Sequence, residues 1–120
     1  MINTISIDHT VLQVKDLSVS SLYLKHIFNF DSLQHPKDKN SLAIEGKGVH
    51  FFLKKREFPP LGQHISFEVN DLDEVKSILD ANRIQYAEGD FSSFRTRNYH
   101  WVEWYGSDNI RFECVKSITV

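Results

Sequence analysis

The sequence has a single cysteine, Cys114, among 120 residues. One thiol forms no intrachain disulfide and cannot supply a cysteine-based zinc site. No apolar run approaches the ~18–20 residues that a membrane helix needs. The opening Met1-Ile2-Asn3-Thr4 lacks the basic start and apolar core of a signal peptide, so a cytoplasmic protein is expected. An excess of one charge sign is missing too. Fourteen Lys+Arg against sixteen Asp+Glu leave a formal net charge of -2, which argues against a nucleic-acid module with its basic footprint. At 41% hydrophobic and 25% charged residues, the composition excludes a disordered or fibrous chain. The length suits one domain spanning residues 1–120. Histidine is the type in some excess, at six residues.

Periodicity divides the chain into two similar runs. Residues 5–14 alternate as a strand does, with Leu12 and Val14 on one face and His9, Val11 and Gln13 on the other. Asp16 is a candidate N-cap for a helix over 17–28, whose apolar stripe is Leu17, Leu24, Ile27 and Phe28. Asn29 suits a left-handed end to that helix. Short strands are expected at 31–33, 41–45 and 49–54, the last two joined at Gly46-Lys47-Gly48. Residues 55–63 hold Pro59, Pro60 and Gly62 and read as a linker.

The pattern then restarts. HTVLQVKDL from His9 aligns without a gap on HISFEVNDL from His64. A helix after Asp71 carries Leu72, Val75, Ile78 and Leu79 and ends at Asn82. Further strands are expected at 85–87, 99–105 and 110–115, with 88–98 as a loop and 106–109 as a turn. Each half thus reads as strand, helix, three strands. The expected class is α+β: two βαβββ modules, about 5–54 and 64–115, forming a cupped eight-stranded mixed sheet with helices on its outer face.

Strand parity sorts the histidines. If the apolar positions Leu12, Val14, Phe51, Leu53, Phe67, Phe112 and Cys114 face the helices, then His9, His50, His64 and Glu113 lie on the opposite face. Two imidazoles and a carboxylate with open positions suit Fe, Mn, Zn or Ni as divalent ions. Phe52, Tyr99, Trp101 and Glu103 share that face. They read as an aromatic wall for a substrate, with Glu103 as a candidate general base for abstracting a proton beside a carbonyl. Phe91 and Phe94, with Arg95 and Arg97, could close over an anionic ligand. Solvated strand residues and an exposed loop are the alternative reading of these same positions. His26, His35 and His100 read as surface or turn residues, and Cys114 as a small buried hydrophobe.

The segments IDHTVLQVKDL, YLKHIFNF, HISFEVNDLDEV and WYGSDNIRFECV together resemble the vicinal oxygen chelate superfamily, over nearly the whole chain. That superfamily includes glyoxalase I, bleomycin-resistance proteins, fosfomycin-modifying enzymes and small extradiol dioxygenases. The resemblance implies paired βαβββ modules around a divalent metal, with His9, His64 and Glu113 at the positions of the usual ligands. At the inward positions where glyoxalase I places a further ligand stand His50 and Phe52, so that ligand is replaced, with His50 as the candidate, or absent. Members generally complete their cups from four modules, so a homodimer is implied. The chain departs from the family in having Gly106-Ser107-Asp108-Asn109 in place of Asp-Pro-Asp-Gly. Glu103 would repel a phosphonate, which argues against fosfomycin as substrate.

Two functions follow from the resemblance. One is a metal-dependent enzyme of the glyoxalase or dioxygenase type, a lyase, isomerase or dioxygenase acting on a small molecule with vicinal oxygens. The other is a metal-free binding protein that sequesters a small aromatic compound or antibiotic. The retained His9, His64 and Glu113 favour the enzyme.

Overall fold

Both helices begin at an aspartate whose carboxylate caps exposed backbone N–H groups. Asp16 Oδ1 accepts from Val19 N at 3.0 Å, and Asp71 Oδ1 accepts from Asp73 N at 2.9 Å and Glu74 N at 3.2 Å. These aspartates are equivalent in the sequence repeat, so the repeat carries the helix starts as well as the strands before them. The structure is a computed structural model that describes residues 1–91 and 98–118. Its elements are β1 (Val11–Val14), α1 (Leu17–Phe28), β2 (Asp31–Gln34), β3 (Ser41–Gly46), β4 (Val49–Lys55), β5 (His64–Glu68), α2 (Leu72–Ala81), β6 (Ala87–Phe91), β7 (Asn98–Tyr105) and β8 (Arg111–Ile118). A 3-10 turn at Ser107–Asn109 precedes β8.

The chain divides into two compact units, Met1–Pro60 and Leu61–Val120, and each is a βαβββ module. The eight strands form two four-stranded mixed sheets, ordered β1-β4-β3-β2 and β5-β8-β7-β6. In each, the strand before the helix pairs in parallel with the last strand of the module, and the other pairings are antiparallel. The parallel pairing requires a crossover, which α1 and α2 begin.

The faces separate as the alternation implies. In the first unit Leu12, Val14, Ile44, Phe51 and Leu53 are buried together with Leu24 and Ile27 of α1. In the second, Phe67, Val102, Trp104, Phe112 and Cys114 are buried with Leu79 of α2. Each such aliphatic or phenyl side chain removed from water stabilises the fold by about 1.5–3 kcal/mol before entropy is counted. Charged and aromatic residues occupy the other face of each sheet.

Several local expectations change. The first strand is limited to β1, and residues 5–10 are exposed without regular structure. Phe52 N still donates to Thr10 O at 3.0 Å, but β4 begins at Val49, directly after the turn that ends β3. Carried back in this register, residues upstream of Asp8 run past the start of β4. In the second unit, the strand expected at 85–87 lies at β6 instead, so 88–91, expected in a loop, pair with β7. Asn29 is left-handed as expected, at φ 60° and ψ 31°. Asn82 is not; the left-handed residue after α2 is Arg83, at φ 56°, while Asn82 Nδ2 donates back to Ile78 O at 2.8 Å. Ile78 O also accepts from Asn82 N at 3.1 Å, so both bonds hold Asn82 on the last turn of the helix.

Candidate functional site

In the first unit, His9 stands just before β1, and His50 and Phe52 lie on the face of β4 turned away from α1. The His9 and Phe52 rings meet edge to face at 4.8 Å, His50 and Phe52 at 5.2 Å, and His9 and His50 at 6.0 Å. Asp8 Oδ2 accepts from His9 Nδ1 at 2.8 Å. This hydrogen bond holds the Asp8 carboxyl below its ordinary value, with the nearby His9 and His50 charges adding to the effect. In the neutral ring, with Nδ1 donating to Asp8, Nε2 carries the lone pair. His50 Nδ1 lies 3.4 Å from Glu45 Oε1. Ligand-bearing atoms of Asp8, His9 and His50 all fall within 4.8 Å of one another.

In the second unit the register builds a denser cluster. Across β5 and β8, His64 is opposite Arg111 and Ser66 opposite Glu113. Across β7 and β8, Glu103 is opposite Glu113 and Tyr105 opposite Arg111. Ser66 Oγ donates to Glu113 Oε1 at 2.8 Å. His64 Nε2 lies 3.7 Å from the same oxygen, beyond hydrogen-bond reach. Arg111 closes the group, with Nη2 2.8 Å from His64 Nδ1 and Nε 3.5 Å from Glu103 Oε2. A cavity of about 410 Å3 adjoins it, lined by Gln63, His64, Tyr105, Asn109 and Arg111 among others. Farther along the same face, Trp101 lies across Gly89 of β6, where an added Cβ would stand 2.6 Å from the indole Cζ2.

No protein-family profile and no curated protein matches the sequence. Solved structures do match its shape. A virulence protein from Salmonella typhimurium superposes with a TM-score of 0.79 at 19% identity, covering 98% of this chain and 100% of its own. A lactoylglutathione lyase from Agrobacterium tumefaciens gives 0.76 at 16% identity, covering 92% of each chain. A genomically encoded fosfomycin resistance protein from Listeria monocytogenes, solved with Mn(II) and sulfate, gives 0.71 at 20% identity, covering 98% of this chain and 93% of its own. The chain has the vicinal oxygen chelate fold.

On a vicinal oxygen chelate fold, the expected residues that are described can each be placed within their own unit. His9, His50 and Phe52 come together in the first. His64, Glu113 and Glu103 come together in the second, and Tyr99 and Trp101 share their face along β7. Arg97 lies outside the described residues, as do Phe94 and Arg95. His35 serves its turn, where Nδ1 accepts from the backbone of Lys37 at 3.1 Å and Asp38 at 3.0 Å. His100 is paired with Asp90 on the other face of β7.

The donor chemistry suits a divalent metal in most respects. Imidazole nitrogen and carboxylate oxygen are the ligands expected for Mn, Fe, Ni or Zn. Asp8 on His9 and Ser66 on Glu113 are the kind of outer hydrogen bonds that orient such ligands. Two participants escaped the sequence reading. Arg111 shares strand parity with Glu113, which signals its face but not its reach to His64. Asp8 carries no parity signal, because the segment before β1 is not a strand.

Proposed function

We propose that the protein is a metal-dependent enzyme of the glyoxalase or dioxygenase type, acting on a small molecule with vicinal oxygens. His9, His64 and Glu113 are the proposed ligands, with His50 as a fourth. A bound divalent ion would act as a Lewis acid toward the substrate oxygens. Glu103 is the proposed general base, and Phe52, Tyr99 and Trp101 the proposed aromatic wall. The observation that carries this reading is the placement of Glu103 directly across from Glu113, with Ser66 and His64 at the second carboxylate. Ser66 holds one carboxylate by a hydrogen bond, as an outer partner of a ligand would, and the other carboxylate stands across from it on the paired strand, which supports the two roles proposed.

A metal-free binding protein for a small aromatic compound is the second reading. It is favoured by the Arg111 guanidinium beside His64 and Glu103, which already supplies a positive charge there. Calorimetric titration with Mn(II), Ni(II) and Zn(II) separates the two. The enzyme reading expects one ion per chain, lost in His9→Ala and in Glu113→Ala. No binding leaves the binding-protein reading, and binding unchanged in Glu113→Ala overturns the proposed ligand set.

We also propose a homodimer. Sedimentation that finds a 14.0 kDa species at micromolar concentration excludes it.

A further inference from the structure

Arg111 is set firmly by its backbone and loosely at its head. Its N–H donates to Gln63 O at 3.0 Å, which locks the first residue of β8 beside β5. Along the side chain, Nε is buried without a hydrogen-bond partner among the described residues, although Glu103 Oε2 lies 3.5 Å away. The well-made contact at the head is Nη2 to His64 Nδ1, at 2.8 Å. A guanidinium only donates, so Nδ1 is the acceptor there and the proton of a neutral ring resides on Nε2. Nε2 is also the nitrogen turned toward Glu113.

A metal ion bound through Nε2 needs a lone pair on that atom, which moves the ring proton to Nδ1. Arg111 would then present a donor to a donor. Binding through Nδ1 would require the position that Nη2 occupies. On either nitrogen, coordination and the Arg111 contact exclude each other. The guanidinium also places its positive charge on the ring that would receive the ion.

Resting on the metal reading above, we infer that Arg111 is a resident cation competing with the metal for His64, a positioning residue that must leave the imidazole before the ion is held. The cavity of about 410 Å3 lined by Tyr105, Asn109 and Arg111 gives the released head a place to turn. Glu103 remains near the root of the guanidinium in that movement, so the displacement swings the head about a fixed stem.

Two measurements test this, neither of which reads activity. Long-range 1H–15N spectra of the unaltered, metal-free protein report which nitrogen of His64 carries its proton. The Nε2–H form is expected, and finding the Nδ1–H form overturns the inference whether or not any variant folds. Calorimetric titration with Mn(II) then compares the wild-type protein with Arg111→Leu. The variant should bind about 10–100-fold more tightly, the span typical of an outer-sphere change but opposite in direction to the usual loss. Equal or weaker binding by a folded variant overturns the competition and leaves the metal reading intact. No uptake by either protein overturns the metal reading and this inference with it.

Discussion

Glu103 and Glu113 face each other across β7 and β8, two carboxylates in directly paired positions on one sheet face. Like charges so placed cost stability, on a scale of about 0.2–1 kcal/mol for cross-strand pairs. The surrounding donors divide between them. Ser66 and His64 adjoin Glu113, while Arg111 adjoins Glu103. The arrangement gives two chemically identical side chains different neighbours.

Glu103→Gln keeps the shape of the side chain and removes its basicity. Turnover should fall by about 10²–10⁴-fold, the range for loss of a general base, with metal affinity retained. Kinetics on a substrate found by screening small molecules with vicinal oxygens checks this; equal turnover in the variant reduces Glu103 to a wall residue.

Gly89→Ala tests the seat of Trp101. The new methyl would meet the Trp101 ring 2.6 Å away, so the indole must move. Overpacking of this kind costs about 1–3 kcal/mol. Urea unfolding should show that loss, together with altered tryptophan fluorescence in the folded state. An unchanged midpoint would mean that the indole is not held against β6.

Asp38 ties the turn before β3 to β4. It accepts from Lys54 Nζ, from Asn40 N at 2.9 Å and from Ser41 Oγ at 2.8 Å. The Lys54 hydrogen bond is the largest cause that drives its pKa well below the ordinary carboxylate value. A depressed folded value means that the stabilisation is present above the unfolded pKa of about 3.9 and is lost as pH falls through the folded one. Asp38→Asn should therefore lower the melting temperature at pH 7, and the gap to wild type should narrow as the pH falls below about 4. Parallel melting curves at both ends of that range check the sign.

Cys114 is 1% exposed, and burial pushes its thiol up to about 12. The neutral form belongs to the fold, so this contribution holds below the unfolded value of about 8.5 and is lost as pH rises toward 12. The folded protein should react slowly with a thiol reagent at pH 8, and quickly once unfolded in urea. Cys114→Val should show a smaller loss of stability than wild type between pH 9 and 12. Fast labelling of the native protein would contradict the burial.

Much of this fold is written in local pattern. Helices α1 and α2 begin where Asp16 and Asp71 announce them, and alternation assigns the faces of β4, β7 and β8 from which His50, Glu103 and Glu113 project. Period-two reasoning fails where there is no partner strand. It extends the first strand to residue 5, although pairing ends near Thr10, and so it hides the turn of Asp8 onto His9. It also cannot measure reach. Parity puts Arg111 on the correct face, but the contact with His64 depends on the β5–β8 register and on a long side chain folding sideways. The placement of β6 was hidden for a related reason: Glu88, Gly89 and Asp90 are poor strand formers, yet they pair because β7 offers an open edge opposite them.

The division at Pro60 bears on synthesis as well as on the finished molecule. By the time residue 60 is made, the chain already contains every strand of the β1-β4-β3-β2 sheet and the helix that covers it. Among the described residues, each strand of that sheet pairs with a strand of the same unit. Closing β1 onto β4 spans some forty residues, and the second half repeats the same closure with β5 and β8. The longest strand pairings are thus set by the module rather than by the whole polypeptide, which keeps the entropy of loop closure nearly equal for the two halves. Vectorial elongation can order the first sheet before the second exists.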